Sequence, residues 1–353
     1  MNQFENTAMK RSSPGHPPAN KLTIIVFSLL WLTMASALLV HPRRNRDTSL
    51  RSMNTYVDLK LIDFSPHIDS TEPAVLLLHG LLGSKRNFAS IGASLASQLD
   101  KKRRILAMDL RNHGKKNYCC MLHAVIMKCC VLRTDLTISF KGENHHDWRP
   151  TMRYEEMALD VIGTLDKHQL KKVVLVGHSM GGKVAQTLAL LHPDRIAGLV
   201  VIDIAPVAYE HDDPSWKAVM EIINLLRNIV LVPGQSKRDV DKLLQEKIPD
   251  PALRAFVMTN LDPKVPRWKI DINSIGKELE TLAGFEVVTD ITYRGDALFI
   301  NGGQSRFVRH AHMESIAGYF PNHMLTTIRG VGHWVHAEAP DDTLALLKRY
   351  LDR

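Results

Sequence analysis

Val173-Val174-Leu175-Val176-Gly177-His178-Ser179-Met180-Gly181-Gly182-Lys183 opens as four apolar residues without alternation, the pattern of a strand buried on both faces. Residues 183–191 then read as a helix, so the chain changes period across Gly177 to Gly182. That turn carries G-x-S-x-G, which a chain of 353 residues meets by chance about one time in ten. Its setting gives it meaning. A sharp strand-to-helix turn lifts a serine clear of the sheet, and its glycines remove side chains that would clash there. Ser179 is therefore the expected nucleophile. A plain Gly-Ser turn would account for the glycines too, so the reading depends on what the rest of the chain supplies.

Working outward, similar apolar runs fall at residues 74–78, 105–108, 199–202, 297–300 and 324–328. Helix-like stretches lie at 88–99, 154–165 and 341–351. Unalternating strands separated by helices imply a mostly parallel sheet covered on both faces, a doubly wound α/β domain. Residues 56–61 alternate apolar and polar and predict a half-exposed strand at its start. Two segments break the rhythm. Residues 207–290 separate two strands and carry helical apolar spacing at 216–223 and 240–244, which predicts a helical cap over the strand ends. Residues 115–144 have no period, contain all four cysteines, and are expected to be an insertion without a catalytic role.

The α/β body is thus expected at 53–206 and 291–353, around the cap. Residues 1–52 hold a net charge of +5 and residues 115–144 a net +3, which together account for the whole +8. The remaining chain is close to neutral, so it offers no basic face for a nucleic-acid backbone. The body has no cysteine to form a disulfide, and no Asn-x-Ser/Thr site occurs, which leans towards a reducing compartment. Residues 1–21 are polar and proline-containing and predict disorder; 41–52 form a basic linker. Between them, residues 22–40 are uncharged and flanked by Lys21, Arg43 and Arg44. That length can just cross a bilayer, which predicts a membrane anchor; Ala35-Ser36-Ala37 supports the alternative of a cleaved signal or organellar targeting segment.

Three further sites complete the chemistry. His79-Gly80-Leu81-Leu82-Gly83 follows a strand where a loop can aim a backbone N–H at a developing oxyanion, so Leu81 and Met180 are the expected oxyanion donors, with His79 packed inside the loop. His333, in Gly332-His333-Trp334-Val335-His336, follows the last strand and is the expected general base; His336 is expected to be a surface or capping residue. The loop after the strand at 297–300 reads Asn301-Gly302-Gly303-Gln304-Ser305 and offers no acid. Asp203, at the end of the neighbouring strand, is the expected acid, and Asp271 in the cap is the fallback. His310 and His312 are spaced like ligands but lack a convincing third, and neither metal nor cofactor is expected.

Taken together, His79-Gly80-Leu81-Leu82-Gly83-Ser84-Lys85, Asp109-Leu110-Arg111-Asn112-His113-Gly114, the Ser179 turn, Asp203-Ile204-Ala205-Pro206 and Gly332-His333-Trp334-Val335-His336-Ala337 closely resemble the α/β-hydrolases. Within that fold the resemblance is to the α/β-hydrolase domain-containing protein 11 group and its bacterial esterase relatives, from about Tyr56 to the C-terminus. It implies a helical cap inserted after strand 6, and ester or thioester hydrolysis of small acyl substrates without a cofactor. Mitochondrial residence is implied for some members. It supports Asp203 as the acid, although some descriptions place an acid in the cap where this chain has Asn273. Two rival functions use the same fold: a lyase in which the Ser-His pair takes a proton from carbon, and a non-catalytic binding protein. The latter usually lacks the nucleophile or base, and Ser179 and His333 are both present.

Overall fold

The computed structural model describes residues 56–116, 145–146, 148–262, 264–285 and 291–353. The expected polar N-terminus, apolar leader, linker and most of the 115–144 insertion lie outside the described residues. Contacts divide the chain at Met53, and every described residue belongs to the unit Asn54–Arg353.

Its main strands are β1 (Leu61–Asp63), β2 (Ala74–Leu78), β3 (Ile105–Met108), β6 (Val173–His178), β7 (Ile196–Ile202), β8 (Ala297–Gly302) and β9 (His323–Ile328), while β4 (Lys115–Lys116) and β5 (His145–His146) pair separately. The main sheet runs β1-β3-β2-β6-β7-β8-β9, with β1 antiparallel to β3 and every other neighbour parallel. Every residue of β2, β3, β6 and β8 is buried, as unalternating runs require. β9 is the exception. It is an edge strand with Met324 and Leu325 exposed, so its apolar run does not mark a doubly covered strand.

Successive strand residues enter two cores on opposite faces. Leu76, Leu78, Leu106, Met108 and Leu175 pack with Met157, Val161 and Leu165 of α2 (Tyr154–Lys167) and Val184 and Leu188 of α3 (Met180–Leu191). Val75, Leu77, Ile105, Ala107 and Val176 pack with Ile91 and Leu95 of α1 (Ala89–Gln98) and Leu347 and Leu351 of α9 (Pro340–Leu351). Each fully buried leucine or isoleucine contributes roughly 1.5–3 kcal/mol.

The start of the body departs from expectation. Val57 and Leu59 are buried as their alternation predicts, yet the strand begins only at Leu61. The reason is where the amides go: Val57 N–H donates to Asp160 at 2.7 Å and Leu59 N–H to Thr164 at 3.1 Å, both on α2 rather than on a strand.

Between β7 and β8 the chain forms α4 (Pro214–Asn228), α5 (Lys237–Gln245), α6 (Pro251–Met258), α7 (Ile272–Lys277) and α8 (Leu279–Ala283). Asp213, Ser236, Asp250 and Asp271 each accept from first-turn amides, and Pro214 and Pro251 occupy first positions that need no amide. Trp216, Met220, Ile223 and Leu282 of this cap join Met180 in one continuous core. The cap lies between β7 and β8 of the main sheet. The insertion leaves and returns at one place: Asn112 donates to Arg149 O at 2.8 Å and accepts from its N–H at 2.7 Å, and Trp148 Nε1 donates to Gly114 O at 3.2 Å.

Candidate active site

Strand β6 ends at His178 and α3 begins at Met180, leaving Ser179 between them at φ 52° and ψ −121°. A side chain rarely adopts that conformation, which costs of order 1–3 kcal/mol and persists only where the surroundings enforce it. Here the Ser179 N–H donates to Ile202 O at 3.0 Å and its carbonyl accepts from Lys183 N–H at 3.1 Å. Close approach does the rest: a Cβ on Gly177 would lie 2.3 Å from Gly181 O, and one on Gly181 would lie 2.4 Å from Leu78 O. Strand and helix can come this near only through glycine.

On the resulting platform, His333 Nε2 lies 3.1 Å from Ser179 Oγ and His333 Nδ1 lies 2.6 Å from Asp203 Oδ2. A carboxylate only accepts, so Nδ1 carries the proton and Nε2 faces the serine as acceptor. Asp203 is wholly buried, at φ 53°, just past β7. Its Oδ1 accepts from Gly302 N–H at 2.9 Å, and its Oδ2 also accepts from the Ser305 hydroxyl. The structure thus brings Ser179, His333 and Asp203 into one hydrogen-bonded row. Asp271 is occupied elsewhere, accepting from Ser274 N–H at 3.2 Å and Ser274 Oγ at 2.8 Å as the cap of α7, and Asn273 is exposed.

The His333 loop is held by Glu338, which accepts from Gly332 N–H at 2.6 Å and Trp334 N–H at 3.1 Å. Phe307 lies against the His333 ring with centroids 4.2 Å apart. His178 Nε2 donates to the His333 carbonyl at 2.9 Å, and burial, with His336 and His333 nearby, holds its pKa well below the usual histidine value. His336 corrects the expectation of a surface or capping residue. It is buried, stacked on Phe88 at 4.9 Å and edge-on to His178 at 4.6 Å, and burial lowers its pKa to about 4. Sequence gave no sign of this, because both partners come from distant elements.

Leu81 and Met180 both border the Ser179 site. Met180 is the first residue of α3, where amides lack a helical carbonyl partner and the helix dipole favours negative charge. The Leu81 loop is cross-braced by two histidines. His79 Nδ1 donates to Gly80 O at 2.8 Å while its Nε2 accepts from Leu110 N–H at 3.0 Å, a packed loop histidine as expected. His113 Nε2 accepts from Leu82 N–H at 3.2 Å and its Nδ1 donates to Arg111 O at 2.9 Å, a role that reading the sequence missed.

Two cavities meet at Ser179. One, the larger, is lined by Leu81, His333, Trp334, Val219, Leu253 and Phe256; the other by Met180, Tyr154, Lys183, Tyr209, Trp216 and Leu282. His312 is buried and accepts from Arg309 Nε at 3.3 Å, whereas His310 is exposed. Among the described residues no cluster of three or more His, Cys, Asp or Glu is placed to hold a metal ion.

A family model described as the alpha/beta hydrolase fold matches residues 73–224. The chain is 31% identical over 287 residues to the sn-1-specific diacylglycerol lipase ABHD11 of Mus musculus, covering 80% of this chain and 82% of that protein. It is 30% identical over 281 residues to Esterase YbfF of Escherichia coli (strain K12), covering 79% and 92% respectively. A solved structure titled Marine microorganism esterase aligns with a TM-score of 0.70 at 28% identity, over 83% of this chain and 99% of that one.

Proposed function

The chain belongs to the α/β-hydrolase family and is one of its carboxylic ester hydrolases, and from that premise we propose that it cleaves small acyl esters or thioesters through an acyl-enzyme on Ser179. The observation that carries this reading is the row Asp203–His333–Ser179 ending on a serine in a strained turn beside two apolar cavities. His333 Nε2 takes the proton of Ser179 as its oxygen attacks the carbonyl, and the Met180 and Leu81 amides receive the developing oxyanion. The imidazolium then protonates the leaving oxygen or sulfur, and the ester bond breaks. Water, activated by the same imidazole, adds to the acyl-enzyme and frees the acid and Ser179. Asp203 keeps Nδ1 protonated and stabilises the imidazolium through both half-reactions.

Covalent labelling tests the nucleophile. A fluorophosphonate probe should label the wild-type chain stoichiometrically and a folded Ser179→Ala variant not at all; persistent labelling of that variant removes the assignment.

We also propose that residues 22–40 hold the enzyme at a membrane; among the described residues no helix is long and apolar enough to cross one. The full chain should then resist extraction by alkaline carbonate. Intact chain in the soluble fraction counts against an anchor, and a mature N-terminus after Ala37 supports a cleaved targeting segment instead.

A further inference from the structure

The two cavities at Ser179 differ in one respect that chemistry can read: His333 lines the larger and not the smaller, whereas Met180 lines the smaller and not the larger. The leaving group must reach His333 Nε2 to be protonated, and the carbonyl oxygen must reach the Met180 and Leu81 amides. A carbonyl carbon bound to Ser179 Oγ then has one direction left for its acyl chain. Resting on the ester-hydrolase reading, we propose that the acyl group occupies the cavity walled by Tyr154, Lys183, Tyr209, Trp216 and Leu282, that the alcohol or thiol half occupies the cavity walled by Leu253, Phe256 and Trp334, and that the acyl side admits short and medium chains only.

The limit on length comes from a fixed wall. The cavity wall at Leu282 cannot easily retreat, because the last turn of the cap is tied to the body at three successive carbonyls. Tyr154 OH donates to Leu282 O at 2.7 Å, Lys183 Nζ donates to Ala283 O and to Gly284 O at 2.7 Å each, and Tyr209 N–H donates to Ala283 O at 3.1 Å. Lys183 is itself 1% exposed, with its Nζ 4.7 Å from the centre of the Tyr209 ring. It fastens the wall at the carbonyl end of α8, and burial holds its pKa well below the usual lysine value. Trp216 of α4, also buried, closes the same cavity from the cap side.

The larger cavity has no such closure of the alcohol half. Phe256 and Leu253 of α6 are only half-buried, and Phe256 meets Trp334 with ring centroids 5.9 Å apart. These side chains can part without breaking a backbone hydrogen bond, so bulk in the leaving group is tolerated where bulk in the acyl chain is not.

Two substrate series on the full chain test this, at one fixed detergent concentration. For 4-nitrophenyl esters of acetyl, butyryl, octanoyl and hexadecanoyl groups, kcat/KM should drop at least about tenfold between octanoyl and hexadecanoyl. Trp216→Ala, or Leu282→Ala if the first fails to fold, should narrow that gap about tenfold while keeping the ratios along a series of butyrate esters of ethanol, phenol and 4-phenylphenol. Phe256→Ala should change the alcohol ratios and keep the acyl ratios. A wild-type profile flat to hexadecanoyl overturns the limit on length, and Trp216→Ala acting on the alcohol series overturns the assignment of the halves. Turnover of these esters that survives Ser179→Ala would instead remove the nucleophile reading, an outcome distinct from either.

Discussion

Replacing Asp203 by Asn changes one atom and reverses the logic of the row. Asp203 accepts three hydrogen bonds, from Gly302 N–H, Ser305 Oγ and His333 Nδ1, at a wholly buried position. An Asn whose oxygen keeps the Gly302 amide must present its NH₂ to Ser305 and His333. Ser305 can rotate and accept. His333 can accept at Nδ1 only by moving its proton to Nε2, and Nε2 then cannot take the proton of Ser179. The expected kcat loss is about 10³ to 10⁴, roughly 4 to 5.5 kcal/mol at 1.36 kcal/mol per tenfold. The variant should still fold, because each backbone bond at the site keeps a partner. The assay is kcat on 4-nitrophenyl butyrate, with a thermal melt to establish folding. A loss under about tenfold in a folded Asp203→Asn chain, together with a crippling Asp271→Asn, would refute the reasoning and move the acid into the cap.

Arg111 donates to Asp160 at 2.6 and 2.9 Å and to Glu156 at 2.6 Å, with Asp160 wholly buried, so Arg111→Met strands a buried carboxylate and should cost about 3–5 kcal/mol in a denaturant melt. A loss below 1 kcal/mol would mean that water reaches Asp160. Burial lowers the pKa of His336 from 6.5 to about 4, so in acid the unfolded chain takes up a proton that the folded chain refuses. His336 therefore contributes stability above pH 6.5 that is lost as pH falls towards 4, by up to about 3 kcal/mol. The drop in Tm between pH 7 and pH 4.5 should be smaller in His336→Phe than in wild type, and equal drops would contradict this. Replacing residues 115–146 by a short glycine linker should leave esterase activity and Tm unchanged or improved, since Asn112, Gly114, Trp148 and Arg149 already join the two ends. The β4–β5 ladder must go with the insertion, because it is parallel and cannot be closed by a tight turn. Loss of activity would give the segment a role.

What the sequence made legible was local. Strand, glycine turn and helix follow one another within twenty residues at Ser179, and a change of hydrophobic period is visible at that range. Strand order was not visible, yet the placement of Asp203 needed only that the strand after the turn should lie beside it, which β7 does. The misses are all long-range. His336 is buried by Phe88 and His178, which the chain brings from α1's approach and from β6, and nothing near residue 336 encodes their arrival. The carbonyls at residues 282–284 accept from the side chains of Tyr154 and Lys183 in the body and from the amide of Tyr209 at the start of the cap segment, and nothing near residues 282–284 encodes their arrival. Residues 56–60 failed as a strand for the same reason, since their alternation is real but two of their amides bind α2.

The loop after β8 shows how a local absence acquires a meaning in three dimensions. Asn301-Gly302-Gly303-Gln304-Ser305 contains no carboxylate, which in sequence is only a gap where an acid could have stood. In the fold, β8 lies beside β7, so the loop faces the end of β7 rather than His333 alone. An acid on β7 needs donors for its remaining lone pairs if it is to stay buried. Gly302 N–H and Ser305 Oγ are those donors, 99 and 102 residues further along the chain than Asp203. A carboxylate at either place in the loop would put two like charges at one buried site and raise the pKa of one of them. The loop therefore lacks an acid because it holds one, and Ser305→Asp should lower kcat rather than supply a second orienting group for His333; a variant with wild-type kcat would show that the loop and β7 are interchangeable sources of the acid.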